Sequence, residues 1–239
     1  LDDNFRAALE DERSRFAGAL ENLPGMPADR PADASWLEQF TGGGENPFLT
    51  ELREGYAALD REDYTAAESA FQQSLKIYPY YIGERNPYRG LAEVYRRQNR
   101  EQELIHILEE FLSISEFSTA EARELAALYR KRDDTEQTIH YLNRSLETEP
   151  YHKPTRTQLA NLYRSADRFD EAVEERRALL NLDPVNEAEA YYELAVDLYL
   201  GDHPADAKDA VVRALEIAPG YSEAQNLLLK CVSASQNAR

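Results

Sequence analysis

Cysteine, methionine and tryptophan are almost absent from this 239-residue chain, which has one of each. The lone Cys231 excludes an internal disulfide and a metal site built from several cysteines, and it leaves the cellular compartment open. No apolar run approaches the roughly 20 residues of a membrane-spanning helix, so we expect no insertion into a membrane. Gly42, Gly43 and Gly44 stand in a row, but the Lys and Ser or Thr of a phosphate-binding loop do not follow, so they indicate a linker.

Lysine is also scarce, since only five of the 27 basic residues are lysine and the rest are arginine. The chain has 45 acidic residues and a net charge of −18. A strongly acidic surface repels a phosphate backbone, so we expect no general binding to nucleic acid. RNA binding by helical repeats stays an alternative that this charge balance disfavours.

A repeated motif is the most prominent feature of the sequence. Leucine, alanine and tyrosine occur in the pattern Leu-Ala-x-x-Tyr three times at a spacing of 34 residues, beginning at Leu91, Leu125 and Leu159. In a helix these three side chains fall on one face. A later Leu and a closing Pro complete several of the units, and Pro cannot continue the helix before it. The pattern predicts helix pairs whose conserved-looking apolar residues pack in the core.

This pattern resembles the tetratricopeptide repeat, a unit of two helices with a 34-residue period. The resemblance implies an all-α, right-handed superhelical α-solenoid of five helix-turn-helix repeats, with a C-terminal capping helix and an N-terminal helical extension. It places the repeats at 48–81, 85–118, 119–152, 153–186 and 188–221. Residues 1–47 are predicted to hold a helix, a Pro/Gly-rich loop and a short helix, and residues 222–239 a capping helix and tail.

Helix starts are marked by capping residues. Asn86 followed by Pro87 has the form of an N-cap and first helical residue. Ser118 with a Glu three residues later, and Asn186 with Glu189, predict capping boxes for the third and fifth repeats.

Arginine recurs on the first helix of the repeats in a chain that is acidic overall. Arg96, Arg130 and Arg164 each follow the motif tyrosine, at a strict 34-residue spacing. In tetratricopeptide repeats this face of the first helix lines a concave groove, so the resemblance implies a groove that is basic in the middle and aromatic at one end. The predicted groove residues are Arg89, Glu93, Arg96, Arg97, Arg123, Arg130, Lys131, Asn161, Arg164, Tyr192 and Tyr199.

No arrangement of catalytic residues stands out, and we expect no metal or cofactor. His106 and His140 hold equivalent places in two repeats, but no third ligand recurs beside both, which indicates surface positions. We expect a non-catalytic scaffold that binds an extended acidic segment in the basic groove, since arginine pairs with carboxylates. Alternatively, the arginines pair with neighbouring carboxylates such as Glu93 and Glu124 and only keep the repeats soluble.

Another possibility concerns a longer protein. The chain starts at Leu1 and its one methionine, Met26, lies within a predicted loop, which indicates a fragment or a processed product. The repeats would then be the accessory region of a larger bacterial enzyme, such as a peptidase, with catalysis elsewhere. The carboxylate clamp known in the family uses Lys and Asn at fixed places, and only Asn161 matches it.

Overall fold

The computed structural model describes residues 46–237, and this part of the chain contains eleven α-helices and no strand. The helices are α1 Pro47–Asp60, α2 Tyr64–Ile77, α3 Pro87–Arg97, α4 Glu101–Ile114, α5 Thr119–Lys131, α6 Thr135–Thr148, α7 Lys153–Ser165, α8 Phe169–Leu180, α9 Glu187–Leu200, α10 Pro204–Ile217 and α11 Ser222–Asn237. The prediction of an all-α solenoid is confirmed. The predicted N-terminal helices lie outside the described residues. All the packing below belongs to the compact unit that begins at Glu51.

The helices form five pairs, α1–α2 to α9–α10, which we call repeats one to five. The turn inside each pair contains one residue in the left-handed conformation, with φ between 55° and 62°. These residues are Glu62, Asn99, Asp133, Asp167 and Asp202. Asn and Asp tolerate this region better than most residues with a Cβ atom. The same short turn therefore joins the two helices of every pair.

The motif residues are buried between helices. Leu91, Leu125 and Leu159 are at most 1% exposed, and Ala160 is fully buried. Helix pairs contact each other in sequence: α4 packs on α5, α6 on α7 and α8 on α9. Because each pair exposes an apolar face by itself, stacking of neighbours supplies the core.

One capping prediction is confirmed and one is wrong. The Asn186 side chain accepts a hydrogen bond from the Glu189 backbone N–H (3.2 Å), and its own amide donates to the Glu189 carboxylate (3.0 Å). Ser118 instead makes a hydroxyl contact of 2.6 Å with Ser115 and does not cap α5. The Glu121 carboxylate accepts a hydrogen bond from Arg89 of the preceding repeat, which removes it from the capping box.

Helix α11 closes the C-terminal side of the stack. Its buried residues Ala224, Leu227 and Cys231 join a core cluster with Val211 and Ala214 of α10. The exposed residues of α11 are largely polar, with Leu229 as an apolar exception. A last helix with a polar outer face is the feature that a terminal repeat needs.

Two glycines make room for one aromatic ring between repeats one and two. Phe71 on α2 is fully buried and lies between Gly55 of α1 and Gly90 of α3. A Cβ atom on Gly90 would lie 2.4 Å from Cζ of Phe71, and one on Gly55 would lie 2.5 Å from its Cε1. The ring therefore fixes how closely α1 and α3 approach α2.

Gly90→Ala should destabilise the fold. In an open helical site this change is worth about 0.5–1 kcal/mol of stabilisation, but here the new methyl overlaps Phe71, and overpacking costs typically ~1–3 kcal/mol. Urea unfolding of Gly90→Ala should show the loss, and Gly220→Ala, where no atom lies within 4 Å of the added Cβ, serves as the control. Equal stability of the two variants would mean that Phe71 is not held between the two glycines.

Candidate functional site

The second helices are joined from repeat to repeat by ion pairs near their N-termini. Each pair links a cation in the turn before the second helix, or at its start, to a carboxylate of the preceding repeat. The pairs are Arg100–Glu68 (2.7 Å), Arg132–Glu101 (3.0 Å), Arg168–Glu136 (3.5 Å) and His203–Asp170 (3.3 Å). We call these the outer pairs. They account for many of the basic residues that lie away from the groove.

A second series, the inner pairs, joins the first helices. Arg96 donates to both carboxylate oxygens of Glu124 on the next repeat, with Nε–Oε1 at 2.9 Å and Nη2–Oε2 at 3.0 Å. Arg164 holds the same position two repeats later, and its Nη2 lies 2.8 Å from Oε2 of Glu193. Each inner pair therefore links the arginine after the motif tyrosine to a glutamate on the following first helix.

Three further predicted groove cations are also paired. Arg89 bonds to Glu121 (2.6 Å), Arg97 to Glu93 (2.7 Å) and Arg123 to Glu149 (2.8 Å). The hydrogen bond from Arg97, with a contribution from Arg96, lowers the pKa of the Glu93 carboxyl. The hydrogen bond with Glu124 raises the pKa of Arg96. For these residues the geometry matches the alternative in which groove arginines pair with neighbouring carboxylates.

The inner pair is missing at the middle step of the stack. Gln158 is the sixth residue of α7, as Glu124 is the sixth residue of α5, so a neutral amide stands where a carboxylate would face Arg130. Within residues 46–234, the exposed side chains of Arg130 and Lys131 make no hydrogen bond or ion pair. Arg130 and Gln158 line a cleft of about 120 Å³ between α5, α6 and α7, which we call the arginine cleft.

A larger pocket of about 690 Å³ lies on the other side of α7, between α7, α8 and α9. We call it the α7–α9 pocket. Its polar wall includes the predicted groove residues Asn161 and Arg164 together with Arg176 and Glu193, and its apolar wall has Leu179, Pro184, Val185 and Ala190.

The polar wall of the α7–α9 pocket is held by a buried ion pair. Arg176 is 6% exposed and Asp197 is fully buried. Nε of Arg176 lies 3.1 Å from Oδ2 of Asp197, and Arg164 also donates to the Asp197 carboxylate. Nη2 of Arg176 donates to Oδ1 of Asn161 at 2.6 Å. Because arginine can only donate, this bond leaves the Asn161 amide N–H groups as donors on the exposed side chain.

The predicted aromatic end of the groove is partly covered. Tyr192 packs on Tyr221, which precedes α11, with ring centroids 4.9 Å apart. Tyr192 and Tyr199 are both half-buried against the C-terminal core cluster. They contribute more to closing the stack than the sequence indicated.

The arrangement of the first helices decides the fold. Helices α5 and α7 begin 34 residues apart, at Thr119 and Lys153, and the buried motif leucines keep the same spacing over three repeats. The chain has the tetratricopeptide-repeat (TPR) fold.

Comparison with known proteins supports the fold. No protein-family model and no curated protein matches the chain. Among solved structures, the Naa15/Naa10 complex bound to HypK-THB aligns with 72% of this chain and 25% of the matched chain, at 19% identity and a TM-score of 0.52. YrrB, described as a TPR protein with an unusual peptide-binding site, aligns with 82% of this chain and 98% of its own, at 17% identity and a TM-score of 0.48. A TPR protein from Parabacteroides merdae aligns with 80% and 74%, at 16% identity and a TM-score of 0.46.

The TPR register shows that Arg176 and Asp197 replace core residues. Leu108 and Leu142, both buried, precede Arg176 by multiples of 34 residues. Asp197 follows Leu194 by three residues, as buried Val94 follows Leu91. The sequence analysis missed both residues, although a charge at an apolar repeat position was a visible signal. Such departures from the packing pattern are expected at functional or strained sites.

Two other classes of site were searched in the described residues. No group of three or more His, Cys, Asp or Glu side chains there is arranged to hold a metal ion. None of the helices there has the length and apolar character needed to cross a membrane.

Breaking the buried pair should cost more than replacing it. Asp197→Val leaves Arg176 buried without its carboxylate, and such changes cost about 3–5 kcal/mol. The double variant Arg176→Leu/Asp197→Val restores the residue types of the other repeats and should be neutral or stabilising, by up to roughly 4 kcal/mol. Urea unfolding of the single and double variants measures both. A double variant as unstable as the single one would contradict the packing described for this position.

Proposed function

We propose that the protein is a non-catalytic interaction scaffold that binds an extended segment of a partner protein in the groove of its first helices. A carboxylate of that segment contacts Arg130. The observation that carries the proposal is the missing inner pair. Arg96 and Arg164 have glutamate partners, whereas Arg130 faces Gln158 and is unpaired among the described residues.

A ligand carboxylate at Arg130 would take the place that Glu124 and Glu193 occupy at the other two steps. Arginine donates to a carboxylate through two parallel N–H groups, and such charge-assisted bonds are about twice as strong as neutral ones. Lys131, also unpaired among the described residues, adds a second positive charge on the same helix. Arg89, Arg96, Arg97, Arg123 and Arg164 are already neutralised and are assigned a structural role.

The net charge of −18 favours a ligand with one well-placed carboxylate over a long acidic tract. The acidic body repels a highly charged anion at long range, and screening at physiological salt removes this repulsion only beyond ~8 Å. A single carboxylate instead gains the local contact and loses little to the overall field.

The named neighbours support an interaction role. YrrB is described as having a peptide-binding site, and Naa15/Naa10 is described as bound to HypK-THB. These properties belong to those proteins. They support binding of a protein segment as the use of this fold in the present chain.

The test is a selection of random phage-displayed nonapeptides on the immobilised full chain, followed by fluorescence anisotropy with an enriched peptide. We expect enrichment of Asp or Glu. Arg130→Gln should weaken binding by about 10- to 100-fold, because a hydrogen bond to a charged group is worth roughly 1.5–3 kcal/mol. Gln158→Glu should weaken it similarly, since the new carboxylate pairs with Arg130 inside the protein.

Arg96→Gln is the matched control, since it removes an arginine from the equivalent position that is already paired. Its affinity should stay within about twofold of wild type, as expected for a residue outside the contact. Selection without acidic enrichment, or equal affinity for all four proteins, would overturn the proposal.

A further inference from the structure

The arginine cleft and the α7–α9 pocket lie on opposite flanks of one helix. Thr155 and Gln158 of α7 line the arginine cleft, whereas Thr157 and Asn161 line the α7–α9 pocket. A ligand that contacts Arg130 and continues along the groove must therefore cross α7 and reach this pocket.

We infer that the two clefts are adjacent subsites for one peptide, which places a carboxylate in the arginine cleft and an apolar side chain, three residues along, in the α7–α9 pocket. The inference rests on the proposed function and adds a sequence requirement for the ligand. The ligand has an Asp or Glu separated from a Leu, Ile, Val, Met or Phe by two residues.

The spacing follows from the width of a helix. Neighbouring helix axes lie about 8–10 Å apart, so the two flanks of α7 are separated by roughly that distance. A polyproline II segment rises about 3.1 Å per residue with three residues per turn. Residues three apart are then ~9 Å apart and on the same side of the peptide. A β-strand returns to the same side after two residues, which is only about 7 Å.

The pocket suits an apolar side chain more than a second charge. Its volume of about 690 Å³ lies within the usual range for ligand pockets, roughly 300–1,000 Å³. The Arg164 and Arg176 guanidinium groups are already bonded to Asp197 and Glu193, so they offer little to another carboxylate. Val185 is fully exposed at the rim and would be covered by an apolar ligand group.

Asn161 stands on α7 where the ligand backbone would cross. Its Oδ1 is occupied by Arg176, and its amide makes no hydrogen bond with the described residues. A ligand carbonyl oxygen is the acceptor that this donor fits.

The experiment uses fluorescein-labelled nonapeptides with one Glu in a host of Gly, Ser and Pro. A single Leu is placed one to five residues from the Glu, on either side in separate series, and affinity for the full chain is measured by anisotropy. In one of the two series we expect separation by three to give the tightest binding, about tenfold tighter than the other separations, because only there is the Leu buried.

Thr157→Trp supplies the matched variant. Thr157 is exposed, so a Trp there should fill the mouth of the pocket and leave the core intact. This variant should bind all Leu positions equally and should still need the Glu. Gln102→Trp, at an exposed position of α4 that lines neither cleft, should behave like wild type.

The outcomes separate the two proposals. Binding that needs the Glu but ignores the position of Leu would overturn this inference and leave the proposed function standing. A preference for separation by three that survives in Thr157→Trp would place the Leu elsewhere and would also overturn it. If neither these peptides nor any acidic peptide from the selection binds, both proposals fail.

Discussion

A single helix pair of this chain cannot bury its own apolar face, and the structure depends on that constraint. Leu91, Leu125 and Leu159 lose their exposure only because another helix pair covers them. Stability in such a stack is close to a sum of repeat and interface contributions. The interfaces are therefore where a local change in sequence has the largest effect, and both the arginine cleft and the α7–α9 pocket lie at interfaces.

The charges of the chain follow the same interfaces. Most arginines described here are spent on carboxylates of the same or an adjacent repeat, which explains how a chain with 45 acidic residues can stack its helices without strong repulsion. Against this background two steps differ. Between repeats three and four, Gln158 leaves Arg130 unpaired; between repeats four and five, Arg176 and Asp197 place charge inside the core.

Much of the fold could be predicted from the sequence because its signal is local and repeated. The spacing of Leu91, Leu125 and Leu159 identified the helix pairs, and their burial agrees with that prediction. The capping box at Ser118 failed because Glu121 has a competing partner, Arg89, 32 residues earlier in the chain. A local motif contains no information about such a partner.

The candidate site was harder to predict for the same reason. Periodicity identified Arg96, Arg130 and Arg164 as equivalent, but their different environments depend on residues 28 or 29 positions later. Only the helix pairing shows that Glu124, Gln158 and Glu193 are the residues to compare. The interpretation of a uniformly basic groove is thereby narrowed to a proposal about Arg130 and Lys131.

The central claim is that Arg130 is the groove arginine that is free to bind an acidic ligand. The most direct measurement is a titration of the labelled full chain with an acidic peptide, following the arginine Nε–Hε signals by NMR. The account predicts that the Arg130 signal shifts on binding while those of Arg96 and Arg164 stay in place. Shifts of Arg96 and Arg164 with an unchanged Arg130 signal would contradict it.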